Sequence, residues 1–239
     1  MEHTTFVTLV GQEILRGKHI KEGNISPLDW LHCTISLLCH DIGYIKGIIK
    51  HDDPSKNLYS TGIEDKTVEI PSGSTDAGLT KYHVDRGKAF VKQRFENHPI
   101  INYQIIQQNI ELTRFPVPND EDHKDTKGFP GIVRGADLLG QMSDPRYLQK
   151  IPGKEIEIFK KFFFVLKIIF EALFYEFKET GHFEMWKTPE DLQKGYPGFF
   201  WKGVYPYVQE SIAYLKTTTN GRQYLANLYS NVFIVEHKL

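Results

Sequence analysis

The chain has 239 residues, of which 40% are hydrophobic and 25% are charged, and its formal net charge at pH 7 is -1. These values are ordinary for a soluble globular protein, and the length allows one large helical domain or a domain with an extension. The near-neutral charge argues against a non-specific nucleic-acid binder, which normally carries an excess of basic residues. It does not exclude a small anionic ligand in a local pocket.

Two further features bear on the cellular location. The N-terminus lacks a basic segment followed by an apolar run, so we expect no signal peptide. Lysine and glutamate interrupt the most hydrophobic stretch, residues 156–177, before it reaches about twenty apolar residues, so we expect no membrane span. The cysteines Cys33 and Cys39 fall on one predicted helix, too far apart for a disulfide. We therefore expect a cytoplasmic protein whose two thiols are small core residues.

The first helices are predicted from apolar spacing and capping residues. Apolar residues at helical intervals predict a helix over residues 3–16, followed by a polar connection over residues 17–25. Ser26-Pro27-Leu28-Asp29 then predicts the start of a second helix, with a serine N-cap, a proline at the first position and an aspartate that completes a capping box. From Leu28 to Ile42 the chain is mostly apolar, so most of the circumference of this helix is expected to be buried.

The second predicted helix ends in an adjacent imidazole and carboxylate, His40-Asp41, followed by Gly43, which is expected to supply the permissive backbone of a helix C-terminus. Burying an ionised aspartate beside a histidine is costly unless a positive charge compensates. A divalent metal ion is the simplest compensation, because it binds both a neutral imidazole and a carboxylate. The alternative is a histidine bonded to backbone and an aspartate in a local turn, and a second such pair, His51-Asp52, shows that the dipeptide alone is not specific.

Residues 51–80 are expected to form a long irregular loop, a type that often serves as a lid or binding loop. A helical pattern resumes near residue 80 and carries His83 and Arg86 in its first turns. Arg86 is a candidate phosphate clamp, because guanidinium contacts with phosphate are often bidentate, and simple exposure is the alternative. The next predicted helix, beginning at Pro99, carries Glu111 at its end, a candidate outer-shell carboxylate or general acid–base group that is at least as often exposed.

Pro130 begins a helix that carries Arg134 and Asp137 three positions apart, on one face. In its apolar context Asp137 needs a partner, for which metal ligation is the preferred explanation and an Arg134 salt bridge the structural alternative. Three helices are predicted for the remainder: one ends at Gly181, a second starts at Thr188-Pro189, and the third runs from about 220 to 236. The aromatic segment 196–201 is expected to pack against the first bundle or against a second subunit, and a binding surface is the alternative.

The run Leu37-Leu38-Cys39-His40-Asp41-Ile42-Gly43 resembles the signature of the HD-domain superfamily of metal-dependent phosphohydrolases. In that family an early histidine, the His-Asp pair and a late aspartate hold a metal inside an all-helical bundle. The resemblance implies an all-α fold, with an HD-type domain over residues 1–150 and a helical extension, 151–239, packed on it. Residues 82–87 and 113–118 are similar to a less characterised bacterial branch of the family.

The resemblance also implies a set of site residues. The metal ligands it implies are His3, His40, Asp41 and Asp137. Because His3 lies almost at the chain start, the alternative is that it is a disordered terminal residue. The metal is expected to be a divalent ion (Mn, Fe, Co, Ni, Zn or Mg). His83 matches a third histidine that in larger HD enzymes binds a second metal or the substrate phosphate. The residues expected to be catalytic are Asp41, His83, Arg134 and Glu111.

The activity that the resemblance implies is hydrolysis of a nucleotide or other small phosphate ester, as a phosphatase or phosphodiesterase, by metal-activated water. One alternative is an HD-type di-iron oxygenase, which the absence of histidine at residues 109–113 disfavours. The other is a non-catalytic HD-like module for ligand binding or protein interaction. The expected partner is a small phosphorylated substrate, with no nucleic acid and no membrane, while a homo-oligomer is left open.

Overall fold

The structure, a computed structural model, describes residues 2–74, 76–147, 195 and 198–238. The described part contains seven α-helices and one two-stranded sheet, which confirms the predicted all-α fold. The helices are α1 (Glu2–Glu22), α2 (Pro27–Cys39), α3 (His83–Phe95), α4 (Tyr103–Glu111), α5 (Phe129–Ser143), α6 (Tyr205–Leu215) and α7 (Thr219–Lys238). None of the helices in these ranges is both long and apolar enough to cross a membrane. The helices predicted to end at Gly181 and to start at Thr188 lie outside the described residues.

Short elements fill the segment between α2 and α3. A 3₁₀ turn over Ile42–Tyr44 follows α2, and the strands β1 (Leu58–Ser60) and β2 (Thr67–Glu69) pair in antiparallel register with Tyr59 opposite Val68. A 3₁₀ helix over Asp76–Tyr82 leads directly into α3. The loop predicted over residues 51–80 therefore contains a small hairpin, whose Tyr59 and Val68 pack with Ile70 and Leu79 in an apolar cluster of their own.

Helix α1 is longer than predicted, and the expected polar connection is wrong for residues 17–22. Gly17 is buried inside the helix, where a Cβ atom would lie 2.1 Å from the carbonyl oxygen of Tyr214. The missing side chain thus allows α1 to pack directly on the backbone of α6. The helix ends where Gly23 adopts a φ of +76° and its N–H donates to the carbonyl of His19.

One apolar core joins α1, α2, α5, α6 and α7. It contains Val7, Leu37, Leu139, Ile212 and Leu228, which are at most 3% exposed. A second and smaller cluster lies between α3 and α4. The N-terminal and C-terminal helices therefore share one hydrophobic core, with α5 in contact with α1, α6 and α7.

Helix α2 begins as predicted but is less buried than expected. The Ser26 side chain accepts a hydrogen bond from the Asp29 N–H, and the Asp29 carboxylate accepts one from the Ser26 N–H, which completes the capping box. One face packs on the core, whereas Leu28, Leu31 and Leu38 are 46%, 38% and 51% exposed. The expectation that most of its circumference is buried is therefore wrong.

The two cysteines of α2 are free, Cys33 buried and Cys39 half-buried. Burial raises the pKa of Cys33 to about 12 and that of Cys39 to about 11. Both thiols therefore stay protonated near neutral pH, as small packing residues would.

Candidate metal centre

Four side chains from three segments meet at one point. His3 comes from the first turn of α1, His40 and Asp41 follow α2, and Asp137 comes from α5. The Nε2 atoms of His3 and His40 are 3.4 Å apart. Asp41 Oδ2 lies 3.5 Å from His3 Nε2 and 3.3 Å from His40 Nε2. Asp137 Oδ1 lies 3.2 Å and 3.5 Å from the same two atoms.

The end of α2 fixes how His40 and Asp41 face this point. His40 Nδ1 lies 2.7 Å from the Leu37 carbonyl oxygen and therefore donates to it, which leaves Nε2 directed at the carboxylates. Asp41 then leaves the helix with φ -100° and ψ 2°, in a sparsely populated region of backbone space where active-site residues often occur. The turn thus presents both side chains to the same side.

Gly43 holds this turn against α3 in a way that the sequence did not predict. A Cβ atom at Gly43 would lie 1.9 Å from the carbonyl oxygen of His83 and 2.7 Å from the N atom of Gly87. Gly43 does not adopt a positive φ. The glycine is therefore needed for close backbone approach, and the expected role as a permissive helix terminus is wrong.

The cluster is buried on one side and open on the other. The His40 side chain is 1% exposed and that of Asp137 is 20% exposed, whereas those of Asp41 and His3 are 31% and 38% exposed. His3 lies within the regular helix α1, and the structure does not show it as a disordered terminal residue. A small molecule would reach the cluster from the side of His3 and Asp41.

The carboxylates and imidazoles of the cluster shift one another's pKa values. Burial lowers the pKa of His40, but the charge of Asp137 and hydrogen bonds to both carboxylates outweigh it and raise this pKa well above its usual value. Burial likewise lowers the pKa of His3, but its hydrogen bond to Asp137 and the charges of both aspartates raise it overall. Burial raises the pKa of Asp137, and the two histidines lower it by more. The carboxylates thus hold protons on the imidazoles, and a metal ion would compete for the same positions.

The residues present fit a divalent metal ion. Two ligand atoms that each lie about 2.0–2.2 Å from one ion are separated by at most roughly 4.4 Å. The separations of 3.2–3.5 Å given above all meet this limit. Among the described residues, His3, His40 and Asp41 form a group of three such side chains with ligand atoms within 4.8 Å of one another. His3, His40 and Asp137 meet the same limit. Two imidazoles and two carboxylates suit Mn, Fe, Co, Ni or Zn.

A family model described as Npun_R2479-like matches residues 1–238. The chain belongs to the Npun_R2479-like family. No curated protein and no solved structure matches it. The match includes all four residues of the cluster and both the N-terminal and the C-terminal helices, so the family spans the whole described fold.

His83 of this Npun_R2479-like chain lies next to the cluster. Its ring stacks on Tyr44 with centroids 4.4 Å apart and planes inclined by 16°. Its Nδ1 atom lies 2.5 Å from the Thr80 carbonyl oxygen and donates to it. Burial lowers the pKa of His83, although the Thr80 bond and the charge of Asp41 act in the opposite direction. Near neutral pH the ring is therefore uncharged, with the lone pair on Nε2.

The structure does not bring Arg134 to the cluster. Its guanidinium donates to the carbonyl oxygens of His123, at 2.7 Å, and Asp125, and it lies 4.9 Å from the centre of the Tyr207 ring. The alternative in which Arg134 forms a salt bridge with Asp137 is therefore not observed. Arg134 instead anchors the loop before α5 to the buried face of that helix.

Glu111, the last residue of α4, lies in a network of its own. Its carboxylate accepts hydrogen bonds from Lys88 and Arg114, and Arg114 also pairs with Asp85. Burial raises the pKa of Glu111, but the bonds from Arg114 and Lys88 lower it by more, so the group is ionised. No hydrogen bond or ion pair of the described residues joins Glu111 to the four-residue cluster.

The described histidines outside the cluster include two with structural contacts. His32 Nε2 accepts a hydrogen bond of 2.9 Å from the Asn102 N–H, at the start of α4. His123 is 7% exposed and its Nδ1 lies 2.7 Å from Asp120 Oδ1. His123 is therefore buried, because Arg134 draws its backbone against α5.

Arg86 also departs from expectation. Its side chain is fully buried and pairs with Asp52, so the guanidinium is not available to clamp a phosphate. The sequence contained one signal for this contact, the second His-Asp pair at residues 51 and 52, which by itself did not indicate a partner.

Proposed function

We propose that the chain is a metal-dependent phosphohydrolase in which His3, His40, Asp41 and Asp137 hold one divalent metal ion. The observation that carries this proposal is the convergence of two imidazole nitrogens and two carboxylates from three segments, with contacts of 3.2–3.5 Å. The reaction class comes from the HD-domain resemblance, whose ligands occur in this same order along the chain. The proposed substrate is a nucleotide or another small phosphate ester.

When bound at this cluster, a divalent ion supplies a Lewis acid that polarises a phosphoryl oxygen and lowers the pKa of a coordinated water molecule. The chain contributes a preset ligand geometry. The Leu37 carbonyl keeps the proton of His40 on Nδ1, and the burial of His40 and Asp137 keeps one side of the site closed to solvent. The exposed parts of His3 and Asp41 form the side from which the substrate enters.

His83 is the group best suited to move a proton. The Thr80 carbonyl holds the hydrogen on Nδ1, so Nε2 carries a lone pair in the neutral ring. The lowered pKa keeps this lone pair free near neutral pH. We assign His83 Nε2 as the acceptor of a proton from the attacking water, a role that typically contributes a factor of about 10²–10⁴ to the rate.

Glu111 and Arg134, expected from the sequence to be catalytic, receive no such role in the proposed mechanism. Glu111 is committed to Lys88 and Arg114, and Arg134 to backbone carbonyls. Their catalytic assignments remain predictions of the sequence. In the proposed mechanism, a divalent ion held by the four cluster residues would supply the positive charge nearest the phosphoryl group.

The experiment is a hydrolysis screen on chelator-treated protein with each of the six expected metals added in turn. The substrates are p-nitrophenyl phosphate, bis-p-nitrophenyl phosphate and a panel of nucleotides. We expect hydrolysis that requires added metal and falls at least about 100-fold in Asp41→Asn. Asp53→Asn, which changes a carboxylate paired with exposed Lys56, is the matched control and should retain activity.

Two outcomes would overturn the proposal. Hydrolysis that survives Asp41→Asn would come from another site or from a contaminant. A metal-free protein whose stability is unchanged in Asp137→Ala would favour a non-catalytic binding module.

A further inference from the structure

A buried ion pair contacts the turn that follows Asp41, one of the proposed metal ligands. The side chains of Arg86, in the first turn of α3, and Asp52 are both 0% exposed. Arg86 Nη1 lies 2.9 Å from Asp52 Oδ1, and Arg86 Nη2 lies 3.0 Å from Asp52 Oδ2. This two-pronged geometry is the strongest form of an arginine–carboxylate contact and also the most specific in orientation.

The remaining donors of Arg86 bind three backbone carbonyls. Nε donates to Gly43 O at 2.6 Å, Nη2 to Ile45 O at 2.9 Å and Nη1 to Ser60 O at 2.6 Å. All five N–H groups of the guanidinium are thereby used. Since the Gly43 carbonyl belongs to the turn that follows Asp41 and the Ile45 carbonyl comes directly after it, the guanidinium holds that turn onto α3.

Asp52 extends the same restraint to the rest of the loop. Its Oδ1 accepts a hydrogen bond of 2.8 Å from the Ser60 N–H, and its Oδ2 accepts one of 2.9 Å from the Gly47 N–H. The carboxylate therefore fixes the segment before the hairpin and the end of β1 while it orients the guanidinium. One buried pair thus joins residues 43, 45, 47 and 60 to α3.

We propose that the Arg86–Asp52 pair positions Asp41 as a metal ligand, an inference that rests on the proposed metal centre. Asp41 lies beyond the end of α2 and its side chain is 31% exposed, so its backbone is held by the following 3₁₀ turn and not by an α-helix. Its orientation depends on the turn over Ile42–Tyr44, whose central carbonyl, that of Gly43, accepts from Arg86 Nε. Groups that orient metal ligands typically change metal affinity by about 10–100-fold when they are altered.

The test compares Zn²⁺ and Co²⁺ affinities by calorimetry in the full chain. Arg86→Lys keeps the charge but loses the forked geometry, and Asp52→Asn keeps an oxygen acceptor but loses the charge. Leu228→Ala, a truncation in the core of α7, is the control for general loss of stability. We expect about 10–100-fold weaker binding in the first two variants and wild-type affinity in the control. The Co²⁺ absorption spectra of the first two should shift toward that of Asp41→Asn, which a merely structural role would not cause.

Each result decides one of the two proposals. A wild-type protein that binds neither metal overturns the metal centre, and the positioning role with it. Wild-type binding that is equal in Arg86→Lys and Asp52→Asn overturns the positioning role alone, as does equal weakening in Leu228→Ala. If Arg86→Lys does not fold, Asp52→Asn decides, because it preserves the Ser60 contact and the guanidinium.

Discussion

Replacing Gly43 by alanine tests the packing of the metal-bearing turn on α3. The added Cβ would lie 1.9 Å from the His83 carbonyl oxygen, whereas such carbon–oxygen contacts are normally at least about 3.3 Å. The turn and α3 must therefore separate by roughly 1.4 Å, the difference between these two distances. Because both neighbours are backbone atoms, no side-chain rotation can relieve the overlap.

The expected cost has two parts. Forcing extra atoms into a packed contact typically lowers the free energy of unfolding by about 1–3 kcal/mol. The separation also moves Asp41 relative to His40 and His83, and a displacement of about 1 Å at a reacting centre can lower a rate by roughly 10²-fold. Urea unfolding and the metal-dependent hydrolysis rate measure the two parts separately.

Gly87→Ala is the matched control from the opposite side of the same contact. Its added Cβ would find its nearest neighbour, the Cys39 carbonyl oxygen, at an ordinary 3.5 Å. Alanine is favoured over glycine inside a helix by about 1 kcal/mol, so this variant should be as stable as wild type or more stable. A Gly43→Ala protein with wild-type stability and activity would refute the close approach inferred here.

Three further predictions concern stability. Burial raises the pKa of Asp52, but Arg86 and the Ser60 N–H lower it overall. This carboxylate therefore stabilises the fold above its unfolded pKa of about 3.9, and the stabilisation is lost as the pH falls through its folded pKa. The free energy of unfolding of Asp52→Asn should therefore be lower than that of wild type at pH 7 and should fall less between about pH 5 and pH 3. Urea unfolding measures it, and wild-type and variant curves of this free energy against pH that run parallel would contradict the prediction. Asn231→Ala should lower the free energy of unfolding by about 1–3 kcal/mol, measured by urea denaturation, because Asn231 Nδ2 donates to the carbonyls of Met142 and Asp144 at the end of α5. Arg134→Ala should cost at least about as much in the same assay, since it leaves the buried His123 carbonyl without its donor, and an unchanged midpoint would refute the anchoring role.

Local signals predicted the elements that depend on local chemistry. The capping box at Ser26 predicted the start of α2 correctly because its hydrogen bonds lie within four residues. The unfavourable burial of Asp41 and Asp137 beside apolar residues indicated partners for both, and the structure brings both to the same two imidazoles. The free-energy cost of burying such groups can be predicted from a sequence because it depends on the residues around one position.

Features set by distant contacts were not predicted. Gly17 resembled a helix end, yet α1 continues because its missing side chain fits the backbone of α6, about two hundred residues later in the chain. Arg86 resembled an exposed phosphate ligand, yet its partner Asp52 is 34 residues away in a loop without periodicity. The exposed face of α2 was likewise not predicted, since a mostly apolar helix gives no sign of which side lacks a neighbour.

The most direct test of the metal centre is a crystal structure of protein soaked in Mn²⁺, with data collected to reveal anomalous scattering. We expect one strong anomalous peak in contact with His40 Nε2, His3 Nε2 and carboxylate oxygens of Asp41 and Asp137. Crystals that diffract well yet show no peak among these four side chains, or show it only elsewhere, would contradict it.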